Sequence, residues 1–137
     1  MKRRLVIGDI HSADTALKQC LWRASYSPEN DLLIFLGDYI DGWSKCIETV
    51  DLLMDLDQNG YCIFLKGNHD VWLEDYLMSG IADKSWLGNG GKVTYDRYLA
   101  DDNAQLNHSG FFRKLHNYYV SDDNIAFVHA GYDSIDG

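Results

Sequence analysis

The sequence predicts an α/β fold with a largely parallel, helix-covered sheet, and three observations carry the prediction. Apolar runs with β-branched residues alternate with stretches of helical periodicity three times before Met78. Each run ends in glycine followed by polar side chains, as strands do where they enter a turn. Finally, 46% of the 137 residues are apolar and 13% aromatic. That is enough for one core at about one domain per 150 residues, so residues 1–137 read as a single domain. A disordered chain or a coiled coil, both poor in aromatics, is excluded.

The elements follow in order. Leu5-Val6-Ile7, closed by Gly8-Asp9, reads as a buried strand. Ser12 is placed to cap a helix whose apolar stripe is Ala16, Leu17, Cys20, Leu21 and Ala24, ending before Pro28. A second strand spans Asp31 to Gly37. It leads into a helix with Ile47, Val50, Leu53 and Met54 on one face, closed by Asn59-Gly60. Tyr61 to Lys66 forms a third strand, followed by Gly67-Asn68-His69-Asp70 and a helix over 71–78. Leu87-Gly88-Asn89-Gly90-Gly91 reads as a turn cluster before a helix-compatible stretch from Lys92 to Leu99, together a cap region. Phe111, Phe112, Leu115, Tyr118 and Tyr119 recur at helical spacing behind Ser109, and Asn124 to His129 returns to strand character.

Composition narrows the function. A net charge of −9 repels phosphate backbones and anionic lipid unless cations intervene, so no nucleic acid is expected as a partner. The longest apolar runs, Leu32 to Leu36 and Tyr61 to Leu65, fall far short of the ~20 residues that cross a bilayer, so no membrane segment is expected. Lys2, Arg3 and Arg4 imitate the start of a secretion signal, but the apolar stretch behind them stops at Asp9, so a cytoplasmic location is expected. Cys20, Cys46 and Cys62 lack any Cys-x-x-Cys spacing and read as three buried thiols.

The strand ends carry the chemistry. Gly8-Asp9-Ile10-His11, Gly37-Asp38-Tyr39-Ile40-Asp41, Gly67-Asn68-His69-Asp70 and Val128-His129-Ala130-Gly131 each place metal-capable side chains where a strand gives way to a loop. In open α/β sheets the crevice beyond the carboxyl ends is where ligands bind, so these motifs converge. Carboxylate, imidazole and amide ligands without thiolate suit Mn, Fe, Zn or Mg. In this reading Asp9, His11 and Asp38 hold one divalent ion, and Asp38 bridges to a second held by Asn68 and His129. Two such ions, ~3.5–4 Å apart, generate a hydroxide near neutral pH that attacks a phosphoester. His69 supplies a proton to the leaving oxygen, and Asp41 fixes its tautomer.

In that order, these motifs resemble the calcineurin-like metallophosphoesterases, and among them the phosphoprotein phosphatase branch of bacterial and phage serine/threonine phosphatases and symmetrical diadenosine tetraphosphatases. Trp86-Leu87-Gly88-Asn89-Gly90-Gly91 also resembles a segment of bacterial members. The resemblance implies an αββα two-sheet sandwich, a dinuclear centre with Mn foremost, and phosphoester hydrolysis. There are departures. The branch continues its second motif as Asp-Arg-Gly, whose arginine clamps phosphate, but here Asp41 is followed by Gly42 and Trp43. Lys66 stands where another arginine is common and is a point-charge substrate contact, beside Asn68. A terminal Gly-His motif is absent, so the chain reads as C-terminally truncated, with strands missing and an open sheet edge suited to a homodimer.

Several residues are read more plainly. Asp70 is read as an early helical carboxylate meeting the dipole, and His108, in a polar loop, and His116, on a helix, as surface or structural. Trp43 and Tyr39 border the cleft. Three functions stay open: a serine/threonine phosphatase-like phosphomonoesterase, a diadenosine tetraphosphatase-like hydrolase, and a metal-binding or interaction module without turnover. The substrates are accordingly a phosphorylated protein or a small phosphoester.

Overall fold

In the computed structural model, which describes residues 2–131, the three strand–helix units fold as their alternation requires. β1 (Arg3–Ile7), β2 (Asp31–Phe35) and β3 (Tyr61–Phe64) form a parallel sheet in the order 1-2-3, crossed by α1 (Asp14–Arg23) and α2 (Cys46–Asn59). Leu5 pairs with Leu33 and Leu33 with Cys62. With a two-residue side-chain period, this register aligns Leu5, Ile7, Leu33, Phe35, Cys62 and Phe64 on one face, against Leu17, Leu21, Val50 and Leu53 of the helices.

The other face carries Arg4, Leu32 and Tyr61, and is overlaid by the antiparallel ribbon of β4 (Tyr118–Val120) and β5 (Ala126–Val128). The Arg4 guanidinium grips both oxygens of Asp123 at 2.7 Å, tying β1 to the ribbon's turn. Two stacked sheets flanked by helices are the expected α/β sandwich. A parallel bridge between Leu65 and His116 extends the β3 edge.

Between β3 and β4 the chain builds the cap: α3 (Asn68–Ser79), α4 (Lys84–Trp86), a wide turn over Leu87–Gly91, α5 (Lys92–Leu99) and α6 (Asp102–Arg113). The Tyr95 ring lies 5.2 Å from that of Tyr76 and 6.4 Å from that of Trp86, forming an aromatic knot that joins α3 to α4 and α5. No helix among the described residues is long and apolar enough to cross a membrane.

The structure corrects several local expectations. Ser12 does not cap α1: its φ is +66°, its N–H donates to Tyr39 O, and Ala13 takes the cap position without a side-chain bond. The helical spacing from Phe111 to Tyr119 breaks after Arg113, because Tyr118 and Tyr119 pair with Val128 and Phe127 across the ribbon. His108 lies within α6 rather than in a loop, buried between Tyr98 Oη and Asp51 Oδ1 at 2.7 Å each. His116 sits in the bridge to β3, not on a helix. Of the cysteines only Cys46 is fully buried, and Cys20 is exposed on α1.

Candidate metal centre

Each candidate side chain stands where a strand of the parallel sheet, or of the ribbon, runs out. Asp9 and His11 follow β1, Asp38 and Asp41 follow β2, and His129 follows β5. Asn68 and His69 follow β3 and open α3, which begins three residues earlier than the sequence predicts and so puts both at the positive end of a 12-residue helix. The backbone there is unusual. His11, Asp38 and Asp41 adopt φ of +46°, +59° and +70°, a region that non-glycine residues keep only where their surroundings enforce it.

That enforcement is a dense set of loop-to-loop hydrogen bonds. Asp38 O accepts the N–H groups of Ile10 and His11 at 3.0 Å. Asp38 Oδ1 accepts the His69 N–H at 3.1 Å. The buried Asp70 carboxylate accepts N–H groups from Asp38 (2.7 Å), Tyr39 (3.0 Å) and Gly67 (2.8 Å), locking the second and third loops together. Burial pushes the Asp70 carboxyl up to about 7, against those three donors, which pull it down. Its part is therefore larger than the helix-dipole contact read from sequence. Gly67 permits the approach, since a Cβ there would lie 2.1 Å from Asp38 Oδ1. Tyr39 does not line the cleft. It is wholly buried, and its hydroxyl donates to Leu65 O at 2.6 Å. Trp43 is 70% exposed.

The loops bring five of the sequence-derived residues around one centre. Potential ligand atoms of Asp9, Asp38 and His129, and likewise those of His11, Asp38 and His69, lie within 4.8 Å of one another. Asp38 belongs to both groups. His11 Nε2 is 3.6 Å from Asp9 Oδ2 and 3.7 Å from Asp38 Oδ2, so it faces both carboxylates. His129 Nε2 is 3.3 Å from Asp38 Oδ2 and 3.3 Å from Asn68 Oδ1.

The hydrogen bonds of two imidazoles orient their outer nitrogens toward the centre. Leu36 O and Ile40 O can only accept, so His129 Nδ1 (2.8 Å) and His11 Nδ1 (2.9 Å) carry the protons. Each Nε2 then faces carboxylate and amide oxygens, a donor set that a divalent cation between them would satisfy. Ligand atoms ~2.1 Å from a shared ion lie about 3–3.5 Å apart, near the observed spacings. Asp38 is buried and Asp9 half exposed, so the centre opens to solvent on the Asp9 side. The residues present fit divalent metal.

His69 differs from the other two. Its Nδ1 is 2.6 Å from Asp41 Oδ2, and its ring meets that of His11 edge-on at 5.0 Å. Asp41 in turn accepts the Trp86 indole N–H on Oδ2 at 2.8 Å, and its own N–H donates to Thr94 Oγ1 at 3.0 Å. Trp86 and Thr94 were not foreseen as site residues. The signals for Trp86 are its place beside the glycine cluster and the resemblance of the stretch from Trp86 to Gly91 to a segment of bacterial members. Lys66 Nζ is bound to Glu74 Oε2 at 2.7 Å, and Arg3, Arg4 and Arg97 are bound to Asp31, Asp123 and Glu48, away from the centre.

Comparison with known proteins agrees with this geometry. The family model described as Calcineurin-like phosphoesterase matches residues 2–137. The chain is 35% identical over 91 residues to serine/threonine-protein phosphatase 2 of Escherichia coli (strain K12), covering 66% of this chain and 39% of that protein. It is 38% identical over 123 residues to the symmetrical bis(5'-nucleosyl)-tetraphosphatase of Marinomonas sp. (strain MWYL1), covering 77% and 43%. The chain thus spans less than half the length of these relatives. The crystal structure of a metallophosphoesterase from Sphaerobacter thermophilus superposes on 89% of this chain and 44% of that one, with a TM-score of 0.60 at 22% identity.

Proposed function

The chain belongs to the calcineurin-like phosphoesterase family, and on that premise we propose that it is a metal-dependent phosphoester hydrolase acting as a serine/threonine phosphatase-like phosphomonoesterase. The observation that carries this reading is the Asp38 carboxylate shared by two clusters of carboxylate and imidazole ligands. Asp9, His11 and Asp38 would hold one divalent ion, and Asp38, Asn68 and His129 another, with manganese the first choice for this oxygen- and nitrogen-rich set. When bound, such ions make water nucleophilic near neutral pH and neutralise charge on the phosphoryl oxygens.

The remaining work falls to the chain's own groups. The N-terminus of α3 directs its positive end toward the phosphoryl group. His69 gives its Nε2 proton to the leaving oxygen, while Asp41 accepts its Nδ1–H and steadies the imidazolium. Lys66 offers a point charge once it leaves Glu74. The outer edge of β1, unpaired among the described residues, is the place where a second copy would add to the sheet.

A second reading has its own support: relatives of similar identity carry the names serine/threonine phosphatase and symmetrical bis(5'-nucleosyl)-tetraphosphatase. Hydrolysis of an aryl phosphate, a phosphopeptide and diadenosine tetraphosphate with manganese separates the two readings. Preference for the phosphopeptide supports the first and preference for the dinucleotide the second. Asp38→Asn should lower either activity by at least about 100-fold. Unchanged hydrolysis in Asp38→Asn would reject the shared-carboxylate mechanism. Metal uptake with no turnover on any of the three would leave a binding module.

A further inference from the structure

Asp41 is gripped from the cap side, by a segment to which the metal centre assigns no task. Its Oδ2 receives two protons, the Trp86 indole N–H at 2.8 Å and the His69 Nδ1–H at 2.6 Å. Its other oxygen, Oδ1, is buried without a hydrogen-bond partner among the described residues, so the carboxylate is committed through a single atom. Trp86 is wholly buried and keeps its place by local design. A Cβ on Gly91 would lie 2.3 Å from the indole Nε1 and Cδ1, so only glycine leaves that ring room to reach Asp41. Gly90, at φ +90°, turns the backbone so that a Cβ there would lie 3.5 Å from Gly42 N and 3.9 Å from Asp41 Cβ. Thr94, one turn further on, takes the Asp41 backbone N–H. The tryptophan, held by Gly91, binds the Asp41 carboxylate, while Gly90 and Thr94 lie against the same residue's Cβ and backbone.

We propose that Trp86 is a positioning residue for the proton donor: by fixing Asp41 Oδ2 it holds the His69 ring with Nδ1 protonated and Nε2 turned to the reacting phosphoester. This rests on the reading of His69 as the group that protonates the leaving oxygen. In that step a water-derived oxygen bonds to phosphorus as the bond from phosphorus to the leaving oxygen breaks, the electron pair of the broken bond stays on the departing oxygen, and the His69 Nε2 proton moves onto it. A freed Asp41 carboxylate swings on its χ angles, and the His69 ring loses the acceptor that sets its orientation.

The test has two arms on the full chain. In metal-free protein, a nuclear Overhauser cross-peak between Trp86 Hε1 and His69 Hδ1 is expected, because both protons point at one oxygen. Its absence with both signals visible, or an unprotonated His69 Nδ1 in the nitrogen-15 spectrum, overturns the proposal. The second arm compares Trp86→Phe with wild type and with Trp22→Phe, an exposed control on α1. For phenyl phosphate, whose leaving oxygen needs the proton, kcat is expected to fall about tenfold with KM within twofold. For 4-nitrophenyl phosphate, whose leaving group departs unaided, the fall is expected to be slight. Equal losses on both substrates overturn the proposal. A wild type that hydrolyses neither would reject the phosphomonoesterase reading instead; in that case, or where Trp86→Phe fails to fold, the spectroscopic arm decides the positioning.

Discussion

Replacing Gly67 with alanine tests whether the second and third loops must touch. The added Cβ would lie 2.1 Å from Asp38 Oδ1 and 2.5 Å from Asp38 N, where ordinary contact begins at 3.4 Å. The obstacle is partly backbone, which no rotamer change removes, so the loops must part by about 0.9 Å at Asp38 N. A shift of that size takes the 3.1 Å bond from the His69 N–H to Asp38 Oδ1 beyond hydrogen-bond range and strains the bonds that Asp70 accepts from Asp38 and Gly67. Overpacking at about 1–3 kcal/mol and one lost hydrogen bond at about 1 kcal/mol give a destabilisation of about 2–4 kcal/mol. At about 4 °C per kcal/mol for a chain of this size, Tm falls by about 8–16 °C. Displacing Asp38 by nearly 1 Å also lowers hydrolysis by about 100-fold. Thermal unfolding followed by circular dichroism, and aryl phosphate turnover with manganese, measure both. Gly110→Ala in α6, where nothing lies within 4 Å of a new Cβ, serves as control and is expected to gain about 0.5–1 kcal/mol without changing turnover. A Gly67→Ala chain with Tm within 2 °C and turnover within threefold of wild type (roughly the scatter of such comparisons) would refute the reasoning.

Two further outcomes follow from charged pairs. The Arg3 guanidinium holds the Asp31 carboxyl down to about 2, from an ordinary 3.8, so this pair contributes stability above about pH 4 that disappears as pH falls toward 2. Between pH 5 and 2 the Tm of Asp31→Asn should therefore decline less steeply than that of wild type, and parallel declines would contradict this. Glu74→Gln releases the Lys66 ammonium, and KM for a phosphomonoester is expected to fall several-fold, whereas an unchanged KM would show that Lys66 does not face the phosphate.

What the sequence made legible followed from local patterns. Leu5-Val6-Ile7 and Asp31 to Phe35 are strands because β-branched and apolar residues fit a pleated sheet packed against helices on one face, and their carboxyl ends lead directly to Asp9, His11 and Asp38. The cap showed in the sequence as a turn cluster and a helix over 92–99, but the task of its turn did not. The glycines of Leu87–Gly91 read as a break, yet the chain continues through a wide turn into α5, and its purpose, delivering an indole 45 residues along the sequence to Asp41, leaves no periodicity. Tyr118 and Tyr119 carried a helical spacing by coincidence, which pairing to β5 overrode. Asp70 looked like a helix-dipole residue because its sequence position gives no hint of the Asp38 and Tyr39 N–H groups that converge on it.

The shared role of Asp38 is tested most directly by anomalous diffraction at the manganese edge from crystals grown with the metal. Two peaks about 3.5–4 Å apart are expected, both within about 2.5 Å of the Asp38 carboxylate, one beside His11 and the other beside His129. A map with no peak between these side chains, or with a single ion that leaves Asp38 untouched, would contradict it.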